Sequence, residues 1–392
     1  MALRTRWTRP RGRRLASAPA LALAAVLATV VPVTACTPVP ASSGARSAAA
    51  APPAITAGQA RQVWDHYVAV SGAQAIKSGN PALPLSVETG AQRAVDSASL
   101  KSLDYELKAD KLGAGKRATL GQLLNLIGPP AYGTPAFFLP EQSGYPRFFV
   151  TDVTRKLTGA NSAGATAPTS VDGAEVHPFG PQLMLFEQAS TGKPWLLAST
   201  SSLAVGAQLP KLATDPAGYV PTVRLSDTAL RARPQDVGPL QAAVVDDGPA
   251  SAAARAIAAG QLTTGLYRGA LGHANGMTAP PGDVYQWELQ GASYPQFALR
   301  TADGGALVLY AMTLDTTVAV PDVIDKGNPI HSGPPIGVPG DLRMLLPPGR
   351  PAPLVQLQSQ QVLSFAAVDP APGKSKIQVI TMGGGLTSAA AS

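Results

Sequence analysis

Ser143-Gly144-Tyr145-Pro146-Arg147-Phe148-Phe149 has a counterpart in the second half of the chain, Ala292-Ser293-Tyr294-Pro295-Gln296-Phe297-Ala298. Each copy follows an apolar run of strand character, Ala136 to Leu139 or Tyr285 to Leu289, and precedes another, Gln182 to Ala189 or Ala306 to Thr313. The interval from tyrosine to second strand is 37 residues in the first copy and 12 in the second. Residues 157–180, rich in Gly, Ala, Thr and Ser, account for the difference as a flexible excursion. The repeated order predicts a duplication.

Helical patterns stand ahead of each copy. Ile55-Thr56-Ala57-Gly58-Gln59 offers an N-cap Thr with Gln three residues on, a capping box. Ala60, Val63, Trp64, Tyr67 and Val70 then recur at helical spacing, which predicts an amphipathic helix over 57–77 stopped by Gly79-Asn80-Pro81. Weaker helical stretches follow at 91–109 and 119–127. In the second half, Pro249 and Gly260 bracket a predicted helix over 249–259. Further strands are predicted at Thr134 to Leu139, Arg147 to Val153 and Trp195 to Ser201, with a hairpin turn at Ser190-Thr191-Gly192-Lys193. Leu354 to Val368 and Lys376 to Met382 form another pair, joined at Asp369 to Gly373, after a Pro- and Gly-dense surface loop over 321–353. Helix first and antiparallel meander afterwards, twice, gives an α+β class. The expected architecture is two tandem helix-plus-antiparallel-sheet domains, 55–212 and 220–392, each a cone of the nuclear transport factor 2-like or cystatin-like kind.

The N-terminus reads as an address. Arg4, Arg6, Arg9, Arg11, Arg13 and Arg14 precede an apolar run from Leu15 to Val31, and Val33-Thr34-Ala35-Cys36 closes it. This basic, apolar, small-residue order is that of an export signal, and the run is short for a membrane span. Val33, Thr34, Ala35 and Cys36 resemble the lipobox of bacterial lipoproteins, which implies cleavage after residue 35, a diacylglycerol on Cys36, and anchoring on the extracytoplasmic face of the cell membrane. The Sec and twin-arginine routes stay open. Removing six arginines from the chain's 31 Lys+Arg leaves 25 against 24 Asp+Glu, so the formal +7 belongs to the leader. A near-neutral mature chain gives no reason to expect nucleic acid as a partner. Cys36 is the only cysteine, so its acylation leaves no thiol for disulfides or catalysis. Residues 36–54, mostly Thr, Pro, Ser, Gly and Ala, read as a disordered tether.

The search for chemistry returns little. His66, His177, His273 and His331 have no partner ligand at metal spacing on one element, so neither a metal nor another cofactor is expected. Ser190-Thr191-Gly192-Lys193 matches a Ser-x-x-Lys motif in letters only, because Pro194-Trp195 follows where such a serine should open a helix. Gly383-Gly384-Gly385 reads as a fraying C-terminus. Asp246-Asp247 reads as a helix start, and sequence alone cannot pair either with Glu187. Trp64, Tyr67, Trp195, Tyr285, Trp287 and Tyr310 would line the concavity of a cone if they face inward, as a small apolar pocket; core packing is the simpler role for them.

Together, the lipobox, Ile55-Thr56-x-x-Gln59-Ala60, Val87-Glu88-Thr89-Gly90, Tyr145-Pro146-Arg147-Phe148 and Lys193-Pro194-Trp195-Leu196-Leu197-Ala198-Ser199 resemble a family of uncharacterised actinobacterial lipoproteins. The resemblance spans most of the mature chain and brings no catalytic residues. It implies a non-enzymatic binding or scaffold protein of the cell envelope whose partner is an envelope protein, a glycan or a small apolar ligand. The alternatives are an enzyme with an apolar cavity in a nuclear transport factor 2-like cone, and a transporter-associated solute-binding lipoprotein.

Overall fold

The computed structural model describes residues 51–80, 82–108, 131–156, 169–171, 174–176, 180–274, 284–320, 322–325, 328–331, 336–346 and 355–392. The leader, the lipobox with Cys36, the tether up to residue 50, the helix expected at 119–127, most of the 157–180 excursion and His177 lie outside them.

The capping box forms as the residue pattern requires: the Gln59 amide donates to the Thr56 hydroxyl at 3.3 Å, and the Gln59 side chain accepts from the Thr56 amide at 3.0 Å. It opens α1 (Ala57–Ala69), which continues through a π turn (Val70–Gln74) into α2 (Ala75–Ser78). Helix α3 spans Gly90–Lys108. The strands of the first half are β1 (Ala131–Tyr132), β2 (Ala136–Glu141), β3 (Arg147–Lys156), β4 (Thr169–Val171), β5 (Ala174–Val176), β6 (Pro181–Gln188), β7 (Leu196–Leu203) and β8 (Tyr219–Pro221). The second half contributes α4 (Val237–Asp247), α5 (Leu266–Ala274), β9 (Val284–Gly291), β10 (Phe297–Arg300), β11 (Ala306–Ala319), β12 (Asp322–Asp325), β13 (Asn328–His331), α6 (Gly340–Arg343), β14 (Gln356–Asp369) and β15 (Gln378–Ala391).

The two-cone expectation is overturned. Nine strands run along one path, β10-β11-β14-β15-β7-β6-β3-β2-β8, with β1 beside β3 and β9 beside β11. The path nearly closes on itself, since Thr222 bridges Leu299 and the Val223 amide donates to the Ala298 carbonyl at 2.9 Å. The result is a single barrel-like sheet, mixed because β2 and β8 run parallel. Residues 50–392 form one compact unit.

Alternation within the strands explains why one barrel wins over two cones. On β3, Phe148 and Val150 point to one side and Phe149 and Val153 to the other. Leu183 and Leu185 alternate with Met184 and Phe186 on β6, and Leu307 and Leu309 with Val308 and Tyr310 on β11. The first set from both halves meets in one interior core, completed by Val220, Phe297, Leu299, Ala366 and Ile380. Each second set lies beneath helices: α1 covers the first half's outer face, and α4 with α5 covers the second's. A strand apolar on both faces needs two partners. Here each half-sheet supplies the inner partner of the other.

The halves join at two seams. At one, β15 meets β7 through only Thr381–Leu203 and Met382–Ser202, reinforced by a buried hydrogen bond from Ser201 to Thr381 at 2.8 Å and by α3 packed across both strands. Gly383-Gly384-Gly385 lies here, inside β15 rather than in a frayed terminus. A Cβ on Gly383 would collide with the Thr200 carbonyl, one on Gly384 with the Val362 carbonyl, and one on Gly385 would sit 3.2 Å from Val95 of α3. Three other expectations also shift. The helix expected at 249–259 is reduced to a 3-10 turn over Ala252–Arg255, and the α-helix before it, α4, runs to Asp247, so Asp246-Asp247 ends a helix instead of starting one. The surface loop at 321–353 contains the β12–β13 hairpin and α6. The tether's final residues are ordered, with Pro53 bridging Glu141 and the Ala54 amide donating to Pro140 at 2.8 Å.

Gly383→Ala is therefore expected to cost on the order of 3 kcal/mol, because the obstacle is backbone that cannot rotate away. Gly58→Ala, on α1 with open space around it, is expected to stabilise by about 0.5 kcal/mol. Chemical denaturation of the two variants beside the parent chain measures both.

Candidate functional site

The second seam forms an open mouth. Residues 136–138 of β2 pair with 150–152 of β3, and two steps further in that register Pro140 would stand opposite Phe148. Proline has no amide hydrogen to continue the ladder. Strand β2 leaves β3 at this point and pairs with β8 through residues 139–141. The freed Phe148 amide donates to the Gln142 side-chain oxygen at 3.4 Å, and the Gln142 side-chain nitrogen donates to the Pro146 carbonyl at 2.7 Å. What remains between β3 and β10 is a groove of about 410 Å³, open to solvent.

Both copies of the Tyr-Pro repeat rim this groove. Its floor is Phe148 stacked on Phe297, ring centres 4.3 Å apart and 25° from parallel, and these are the equivalent positions of the two copies. Tyr145 and Pro146 form one bank; Pro295 and Gln296 form another, with the Gln296 amide tied to the Pro234 carbonyl at 2.7 Å. Thr222, Val223, Arg224 and Leu225 form the third side. Tyr145 is among the few large apolar side chains left exposed, at 39 %, and the Arg147 guanidinium lies 4.9 Å above its ring. Behind Pro295 a recess with room for no more than about one water holds Glu187, whose carboxyl is raised by burial, next to Tyr294 and the start of α3.

The six aromatics picked out from the sequence do not converge on a concavity. Trp64, Tyr67 and Trp195 pack beneath α1 against Phe149 and Phe186, which themselves stack at 4.8 Å. Tyr310 stacks on Phe365, and its hydroxyl donates to Gln241 at 2.8 Å. Tyr285 and Trp287 lie next to α5, with the Trp287 indole donating to the Val245 carbonyl at 3.1 Å, and the crevice they line is no larger than a water. All six face the helices, outside the interior that a cone would have made concave. Seven of the twelve residues that line the groove belong to the Tyr-Pro repeat, whose duplication was the signal, whereas Gln142 and residues 222–225 carried none.

Two buried carboxyls escaped the sequence reading. Glu88, 2 % exposed, sits just before α3, where the Thr89 amide donates to Leu197 at 2.8 Å. Burial first, then the charge and hydrogen bond of Asp96, push it up to about 8 against the pull of Arg93. Asp96 also accepts from Gln92 at 2.8 Å, and the phenols of Tyr67 and Tyr132 beside this pair are raised by burial. Asp369, fully buried on β14, is raised to about 6 by burial, against a 3.4 Å hydrogen bond from the Ala232 amide. Neither carboxyl lines the mouth. Among the described residues no cluster of His, Cys, Asp and Glu could hold a metal, and no helix is long and apolar enough to cross a membrane.

The family model of a domain of unknown function, DUF8094, matches residues 51–391, and the chain belongs to that family. No curated protein and no solved structure matches the chain.

A carboxyl whose folded pKa lies above its unfolded value favours the fold most when protonated. Glu88 therefore contributes fully below about pH 4.5, and its contribution is lost as pH rises through about 8. Unfolding free energy measured from pH 5 to 9 is expected to fall by on the order of 3 kcal/mol. Glu88→Gln, neutral throughout, should remove most of that slope.

Proposed function

We propose that this member of the DUF8094 family is a lipid-anchored extracytoplasmic binding protein of the cell envelope, and that its ligand docks in the barrel mouth. The observation that carries the reading is the meeting of two Tyr-Pro segments over the Phe148–Phe297 stack. Above that buried stack the exposed Tyr145 ring and the faces of Pro146 and Pro295 offer apolar surface, and Gln142, Thr222, Gln296 and Arg224 set polar groups around it. Few polar groups around an apolar floor is the usual composition of a recognition site.

Binding is favoured over catalysis because the interior that would have served as an active cavity is filled by leucine, valine and phenylalanine side chains. The raised carboxyls Glu88 and Asp369 are buried and are not among the residues that line the groove. A solute receptor of the two-lobed kind would need a cleft between βαβ lobes, whereas this chain winds one sheet around one core. The anchor rests on Val33-Thr34-Ala35-Cys36 and the six arginines before it.

Cys36→Ser should abolish palmitate labelling and release the chain from the membrane fraction; retention unchanged by the substitution would refute the anchor. For the mouth, a photo-crosslinking amino acid at position 145 should yield an adduct in intact cells that the double variant Thr222→Trp, Pro295→Trp, built to fill the groove, reduces at least about fivefold. An adduct unaffected by filling the groove would remove the mouth as the binding site.

A further inference from the structure

We infer that the mouth faces the membrane and that its partner is the headgroup layer of the lipid leaflet to which the chain is anchored. The inference rests on the diacylated Cys36 proposed above and adds to it a direction and a ligand class.

The geometry starts where the described chain begins. Residues 52–54 run beside the mouth: the Gln142 amide donates to the Pro52 carbonyl at 2.9 Å, the Ala54 amide to Pro140 at 2.8 Å, and the Arg147 guanidinium to the Ala54 carbonyl at 3.4 Å. Gln142 and Tyr145, on the same hairpin, line the groove. Only residues 37–50 separate this point from Cys36. If these residues are the tether their composition leads us to expect, their root-mean-square reach is about 20 Å, whereas a compact body of this length is about 50 Å across. A tether shorter than the body keeps near the bilayer whichever face it leaves from. That face carries the mouth.

The chemistry of the rim suits a lipid surface. Tyr145 presents an exposed ring with a polar tip, the form that settles at the depth of headgroups. Arg224 lines the groove with no carboxylate within 4 Å among the described residues; its charge reaches Asp227, but that carboxylate is held by Arg300 at 2.9 Å, and Arg233 is held by Asp236 at 2.7 Å. A guanidinium left unpaired beside an aromatic floor fits a phosphate on a short apolar stem. The groove at the opposite seam, near Val205 and Gln261, has comparable room but lies across the barrel from the point where the tether leaves.

With Cys36 acylated, the mature chain has no other thiol, so a cysteine introduced at one position can be labelled alone. The acylated full chain carrying Tyr145→Cys or Val205→Cys is labelled with an environment-sensitive fluorophore and reconstituted into phosphatidylglycerol-containing vesicles with nitroxide headgroups. Quenching is expected to be at least about twofold greater at position 145 than at 205, and Arg224→Glu should reduce it at 145. Equal quenching, or more at 205, in protein whose acylation is verified by mass would overturn the orientation and leave the anchor standing. A mass showing unmodified Cys36 would overturn both. Quenching at 145 indifferent to Arg224→Glu and to replacement of phosphatidylglycerol by phosphatidylcholine would overturn the headgroup as partner, in favour of a protein or glycan near the membrane.

Discussion

The fold depends on one shared interior. Neither half-sheet can exist with its inner face bare, because Phe148, Val150, Leu183 and Leu185 from one half and Phe297, Leu299, Leu307 and Leu309 from the other would then all be in water. Burying a side chain of this size is worth roughly 1.5–3 kcal/mol, so exposing all eight would cost about 12–24 kcal/mol, as much as the whole stability of an ordinary domain or more. Helices on the outside repeat the same logic one layer out. The seams, by contrast, are thin: two residue pairs at one and isolated bridges at the other. Interior packing, more than edge hydrogen bonding, holds the barrel closed.

Much of the local structure was legible. Capping chemistry located the start of α1 to the residue, and period-two runs located most strands, because both signals depend on near neighbours. Partnership was not legible. The run Leu183-Met184-Leu185-Phe186 is buried on both faces, and this uninterrupted apolarity was the available sign that a one-sided cone could not be right. Alternation shows that a strand has two faces without showing what covers each of them. Gly383-Gly384-Gly385 misled for a related reason. Glycine usually marks a weak or ended strand, but here it admits another backbone at close range, a condition visible only once β7 and α3 are in place.

The candidate site divides the same way. The Tyr-Pro repeat was evident as a pattern, but that its two phenylalanines would stack on each other is a consequence of closure. Conversely, the six aromatics chosen for a pocket are good core residues on amphipathic elements, and the structure uses them as such. Glu88 carried no sequence signal, since its altered acidity comes from being covered by α1 and α3 and from meeting Asp96 two turns into the second helix.

The buried hydrogen bond between Ser201 and Thr381 joins residues 180 positions apart. At ordinary synthesis rates the ribosome needs roughly 10–35 s to supply that partner. Throughout that time the first half-sheet has its helices but no inner neighbour, and it presents an apolar surface to whatever surrounds it. Contacts of this range also fold slowly. The chain is therefore one that benefits from being kept from premature association until it is whole, and its architecture places a premium on chaperoning during synthesis.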